Sequence, residues 1–182
     1  MKKLYTMLLL VISLCTASCS DWLDVSPSNQ VNGDKLFEIG DGYRNALNGI
    51  YLNLGTSSMY GQTMSWGFMD AIAQYYKTDN GSNFIPKTSA YYKSAKFQFE
   101  DSDVKTFISN IWSVSYNNIA NCNNLILNVS EASPSVFKEG EFEKNMIWGE
   151  ALALRAFMHF DLLRLFAPAI SKDDGKSYIP YV

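Results

Sequence analysis

The stretch Glu150-Ala151-Leu152-Ala153-Leu154-Arg155-Ala156-Phe157-Met158-His159-Phe160-Asp161-Leu162-Leu163-Arg164-Leu165-Phe166 decides the fold. With the residues just before it, it predicts a helix from about Phe142 to Phe166 that Pro168 stops. Roughly 25 residues at 1.5 Å each make a rod of about 37 Å. Leu152, Leu154, Phe157, Met158, Phe160, Leu162, Leu163, Leu165 and Phe166 cover more than one face of it. A helix apolar almost all round has to be surrounded, so neighbours are expected on both sides.

Those neighbours are read toward the amino terminus. A Ser- and Pro-containing break from Ser130 to Gly140 precedes the last helix. Before it, Asp103 can cap a helix in which Val104, Phe107, Ile108, Ile111, Trp112, Tyr116, Ile119, Cys122 and Ile126 follow at three- and four-residue steps to about Val129. Between Thr78 and Asp101 helical order is lost, and Asp79, Asn80, Gly81, Ser82, Asn83 and Pro86 supply turn chemistry, so a long loop is expected. A second helix is expected over Gln62 to Lys77, with Trp66, Met69, Ala73 and Tyr76 on one face. A first helix runs from an Asp34 cap to Gly55, weakened by Gly40, Gly42 and Gly49 at about 1 kcal/mol each relative to Ala. Four helices and no convincing strand run imply an all-α fold packed ridge into groove. Ala153 to Phe157 and Ala156 to Phe160 fit the A-x3-F step of a tetratricopeptide helix, and Trp112 to Tyr116 fits an aromatic-rich first helix. The expected architecture is a tetratricopeptide-like helical bundle with long loops.

Composition supports a folded core. The chain has 182 residues, 47% hydrophobic and 18% charged, which excludes a disordered tail, a collagen-like repeat and a disulfide-dense miniprotein. Met1 to Ser18 combines Lys2 and Lys3, an apolar run from Met7 to Leu14 and the small residues Thr16, Ala17 and Ser18, the three parts of an export signal. The run is shorter than the roughly 20 residues a membrane-spanning helix needs. Thr16-Ala17-Ser18-Cys19 resembles a bacterial lipobox, which implies cleavage before Cys19 and acylation of Cys19 as an anchor. Removing Lys2 and Lys3 with the signal takes the formal charge from −3 to −5. An acidic chain with no basic stripe does not fit nucleic-acid binding. From Ser20 to Asn32 the sequence is polar, holds Pro27 and reads as an extended tether. Cys15 leaves with the signal and Cys19 is lipidated, so Cys122 is expected to be a small buried apolar residue.

Three segments together resemble the RagB/SusD family of Bacteroidetes outer-membrane lipoproteins. Cys19-Ser20-Asp21-Trp22-Leu23-Asp24-Val25-Ser26-Pro27, with Phe37 downstream, is similar to the family's mature start. Trp112, Tyr116, Ile119, Cys122, Asn123 and Ile126 resemble its W-x3-Y-x2-I-x2-(small)-N helix, and Glu150 to Phe166 resembles its E-A-x-x-x-R-A-x-x-(Y/H)-F-D-L-x-R-x-(Y/F) signature helix. Ala167 to Ile170 departs from the glycine-containing turn common after that helix. The resemblance covers the amino-terminal portion of such a protein, about a third of it, with the domain spanning 34–182. It implies a protein lipid-anchored in the outer membrane and exposed at the cell surface. Such a protein captures oligosaccharides, or peptides in some branches, and delivers them to a SusC-type TonB-dependent transporter. It implies no catalysis and no cofactor.

The aromatic residues divide by position. Trp112, Tyr116, Trp148, Phe157, Phe160 and Phe166 lie on helical stripes and read as core. Tyr75, Tyr76, Phe84, Tyr91 and Tyr92 lie in or beside the expected loop, where exposed rings can stack on a pyranose while Asp79, Asn80 and Asn83 bond its hydroxyls. Trp66 and Asp70 on the second helix are candidates of the same kind. The other reading is that these rings pack the loop onto the bundle. Without a sugar site here, the segment would be a helical-repeat interaction module that binds the transporter or peptides. Glu150, Arg155 and His159 read as architecture. Ser135-Val136-Phe137-Lys138 matches S-x-x-K but has no S-D-N or K-T-G companion. Asp79 to Asn83 lacks the order of an EF-hand, and no C-x2-C, H-E-x-x-H, Walker A or G-x-S-x-G occurs.

Overall fold

In a computed structural model, residues 33–78 and 85–182 are described, and the chain divides into two units, Met1–Leu36 and Phe37–Val182. The leader, the tether with Cys19, and Asp79, Asn80, Asn83 and Phe84 lie outside the described residues. In the first unit, Gly33–Leu36 forms one turn of helix, α1. The second unit is built on three long helices, α2 (Gly40–Leu54), α5 (Ser102–Glu131) and α6 (Gly140–Phe166). Two short ones, α3 (Phe68–Ile72) and α4 (Ala90–Ala95), lie between α2 and α5. Single 3-10 turns occur at Pro134–Val136 and Ile170–Lys172, and no strand occurs among the described residues. The fold is all-α, as the periodicity predicts.

α5 forms where the three-and-four spacing is longest. Val104, Ile111, Ser115, Asn118, Ile119, Cys122, Leu125 and Val129 are its buried stripe. Its cap is Asp101 rather than Asp103: the Asp101 carboxylate accepts from the Asp103 N–H at 3.0 Å. Ser133 caps the 3-10 turn that follows, and Gly140, with φ +58, takes the left-handed residue that starts α6. α5 and α6 pack along each other, and α2 lies against both. Leu47, Ile50, Ile119, Leu125, Ile147, Met158 and Leu162 meet in the main core. A second cluster, Met64, Phe68, Val104 and Ile111, forms where α3 meets the start of α5.

Besides the α5 cap, four expectations need correction. The first helix is interrupted at Phe37–Ile39, and α2 starts only at Gly40. A Cβ at Gly40 would fall 2.8 Å from the Val136 carbonyl and 3.0 Å from Phe137 Cα, so a glycine at this helix start admits the turn that seats the buried Phe137. The second helix shrinks from Gln62–Lys77 to Phe68–Ile72. Ser65 Oγ donates to the Tyr60 carbonyl (2.8 Å) and Thr63 Oγ1 to the Ser57 carbonyl (2.8 Å), so hydroxyls hold this backbone in successive turns. Trp66 therefore precedes the helix and Tyr76 follows it. The expected loop contains α4, capped by Ser89 and fastened by Lys93 to Asp101 (2.9 Å) and Asp103 (2.9 Å).

The fourth correction concerns α6, which is not covered on both sides. Phe157 and Phe160, expected in the core, are 47% and 57% exposed, and Phe142 and Leu163 share that open side. Trp112, Tyr116, Trp148 and Phe166 do pack against the core.

Candidate functional site

The residues around α3 carry the most exposed rings among the candidates. Trp66 is 56% and Tyr75 79% exposed. The turn that ends α3 brings them beside Asp70 and Tyr76: the Tyr75 N–H donates to the Asp70 carbonyl at 3.0 Å, and the Tyr76 hydroxyl donates to the Trp66 carbonyl. Local burial, then the Asp70 carboxylate and Tyr91 nearby, raise the Tyr76 hydroxyl above its ordinary pKa. That hydroxyl stays a neutral donor at physiological pH.

Tyr91 and Tyr92 stand on α4 rather than in a loop. Gln62 Nε2 donates to the Tyr91 hydroxyl at 2.7 Å, and the Tyr91 ring stacks on Phe107 of α5 at 5.4 Å between centroids, 19° from parallel. One face of Tyr91 is thereby used in packing. Tyr92 lies under the Lys96 ammonium, 5.7 Å from the ring centroid. Backbone and hydroxyl bonds thus link Tyr75 to Asp70 and Tyr76 to Trp66, Gln62 and Tyr76 connect Tyr91 to the same segment, and Tyr92 has a cation as its neighbour. Gln62 and Lys96 carry no site signal in the sequence, since a lone polar residue has no periodicity.

The architectural residues are accounted for by their partners. Arg155 donates to Asn123 Oδ1 at 2.9 Å, tying α6 to α5. Glu150 accepts from the Tyr51 hydroxyl at 3.0 Å and Glu143 from Arg44 at 3.3 Å, tying α6 to α2. Buried His159 has Nδ1 2.9 Å from the Arg155 carbonyl, and Nε2 accepts from the Val182 N–H at 3.4 Å. The two contacts together require the tautomer with the proton on Nδ1. Cys122 is buried and free, its thiol pushed up to about 11 by that burial. The S-x-x-K pair is split, because Lys138 Nζ donates to Asp41 at 2.7 Å and Ser135 Oγ lies 2.8 Å from Ser133 Oγ.

Apart from these residues, a concavity of about 670 Å³ opens at the end of α6 between Phe160, Leu163, Arg164, Ile170 and Tyr178. Of its charged residues, Arg164 is paired with Asp161 and Lys176 with Asp174, while Asp173 accepts from the Gly175 N–H at 3.1 Å. Among the described residues no group of three His, Cys, Asp or Glu could hold a metal ion. Among them, too, no helix is long and apolar enough to cross a membrane.

No curated protein and no solved structure matches the chain. One family model does, over residues 21–182: SusD-like, described as starch-binding associating with outer membrane. The match takes in every described element, and the chain belongs to the SusD-like family.

Proposed function

We propose that the protein captures oligosaccharides at the outer membrane on the aromatic face around α3, without catalysing a reaction, and delivers them to a SusC-type TonB-dependent transporter. The proposal includes its organisation: a leader over 1–18, a tether over 19–33 that Cys19 lipidates at the cell surface, and a helical domain over 34–182. The observation that carries it is the exposure of two rings, Trp66 and Tyr75, on the segments that flank α3, with Asp70 on that helix and the neutral Tyr76 hydroxyl against the Trp66 carbonyl. Apolar platforms with a few placed polar groups suit a pyranose, which has C–H faces and equatorial hydroxyls. Tyr91 and Tyr92 form the α4 side of the proposed surface, and Asn80 and Asn83, outside the described residues, remain candidates from the sequence for bonding sugar hydroxyls. The family's starch-binding description makes α-glucans the first ligands to test. Titrating a polysaccharide panel should give saturable binding to one linear glucan class. A panel with no binder removes the glycan reading.

A helical interaction module that binds the transporter or peptides is the second reading. It is favoured by the open apolar side of α6, with Phe157, Phe160 and Leu163. Phe157→Lys and Leu163→Lys test that side, since transporter association should fall if it serves a protein partner; the second reading replaces the first only if the wild type also binds no glycan of the panel.

A further inference from the structure

We infer that Gln74 is a positioning residue: its backbone ends α3, its side chain ends α4, and it thereby fixes the two halves of the aromatic face to each other. The inference rests on reading that face as the ligand surface.

Gln74 lies in the left-handed region, with φ +64. Its N–H donates to the Ala71 carbonyl at 3.1 Å, and the Tyr75 N–H reaches back to Asp70 at 3.0 Å, so the residue closes α3 as a left-handed cap. Glycine takes that conformation freely, whereas a side chain is strained in it. What glycine lacks is the amide. Gln74 Nε2 donates to the Ala95 carbonyl at 2.7 Å and to the Ala71 carbonyl at 3.3 Å. Ala95 is the last residue of α4, and its carbonyl is among those a helix end leaves without an intrahelical partner. One side chain therefore bridges the carboxyl ends of both short helices.

The bridge sits where it controls the face. Tyr75 and Tyr76 follow Gln74 directly, while Tyr91 and Tyr92 stand on the helix that its amide caps. α4 leaves through a second left-handed residue, Phe97, with φ +54, and the Gln98 N–H returns to the Lys93 carbonyl at 2.9 Å. Both helices end in tight turns of fixed direction, and the amide locks one turn to the other. At the far end the Gln62 to Tyr91 bond ties the same two segments.

The variant Gln74→Gly removes the amide and relieves the backbone together. In the full chain, its melting temperature should stay within about 3 °C of wild type. Amide exchange at residues 96–98 should accelerate by about tenfold. Maltoheptaose should bind about fivefold more weakly, because a face that is no longer preorganised must be ordered by the ligand. A residue serving only to turn the chain would leave affinity untouched or improve it. Unchanged exchange overturns the bridge, and faster exchange with wild-type affinity overturns the positioning role. Trp66→Ala serves as the control. Should it also bind maltoheptaose as wild type does, the reading of the face fails, while exchange in Gln74→Gly still decides the bridge.

Discussion

Asp161 is buried on α6 with its charge held between two donors, the Tyr60 hydroxyl at 2.6 Å and Arg164 Nε at 3.0 Å. Burial first, then the bond to this carboxylate, drives the Tyr60 hydroxyl far above its ordinary pKa. A hydrogen bond to a charged group contributes about 1.5–3 kcal/mol, so Tyr60→Phe should destabilise by that order in urea unfolding. Asp161→Ala should cost more, because it removes the bonds from Arg164 as well and leaves the part-buried Tyr60 hydroxyl without its acceptor. Cys122 makes a pH prediction. Its folded pKa of about 11 exceeds the roughly 8.5 of an unfolded thiol, so the stability it contributes is complete below about pH 8.5 and is lost as pH rises toward 11. Urea midpoints at pH 7 and pH 10 should differ by less in Cys122→Ala than in wild type. Equal differences would contradict the assignment.

Among the elements, α5 and α6 were legible because long apolar periodicity outweighs everything local; their ends moved by only a residue or two, to Asp101 as cap and Gly140 as start. The α3 and α4 region was not. α3 is short because Ser and Thr hydroxyls hold the preceding turns, and α4 is short enough that a Ser89 cap and the Lys93 ion pairs decide it. Phe37 continued the apolar period of the first helix and hid its break. Of the candidate site, Trp66, Asp70, Tyr75 and Tyr76 were legible as residue types, but their grouping depends on the turn at Gln74, which no spacing announces. Ser89→Ala should destabilise α4 by about 1 kcal/mol, visible as faster amide exchange in residues 91–95. Leu162→Ala, at a fully packed core position, should cost about 2–5 kcal/mol in global unfolding, whereas Phe160→Ala on the open side should cost far less.

At the scale of the whole molecule, the described residues of this acidic chain present two surfaces of different character. One is the ring-bearing face around α3, with Asp70 and Tyr76 as polar neighbours; the other is the open apolar side of α6. Periodicity told that α6 is apolar all round, but not which sides the fold would cover. Water-exposed phenylalanines at 47% to 67% favour association, so Phe157→Lys with Phe160→Lys should lower the sedimentation-average mass of the isolated chain at high concentration. A wild type that is already monomeric there would contradict this. Glycan capture on the α3 face is tested most directly by calorimetric titration of maltoheptaose into wild type and Trp66→Ala, with melting curves recorded for both. Capture by this face predicts saturable wild-type binding that weakens at least about tenfold in the variant, about 1.4 kcal/mol, with unchanged melting. Equal affinity in the two proteins would contradict it.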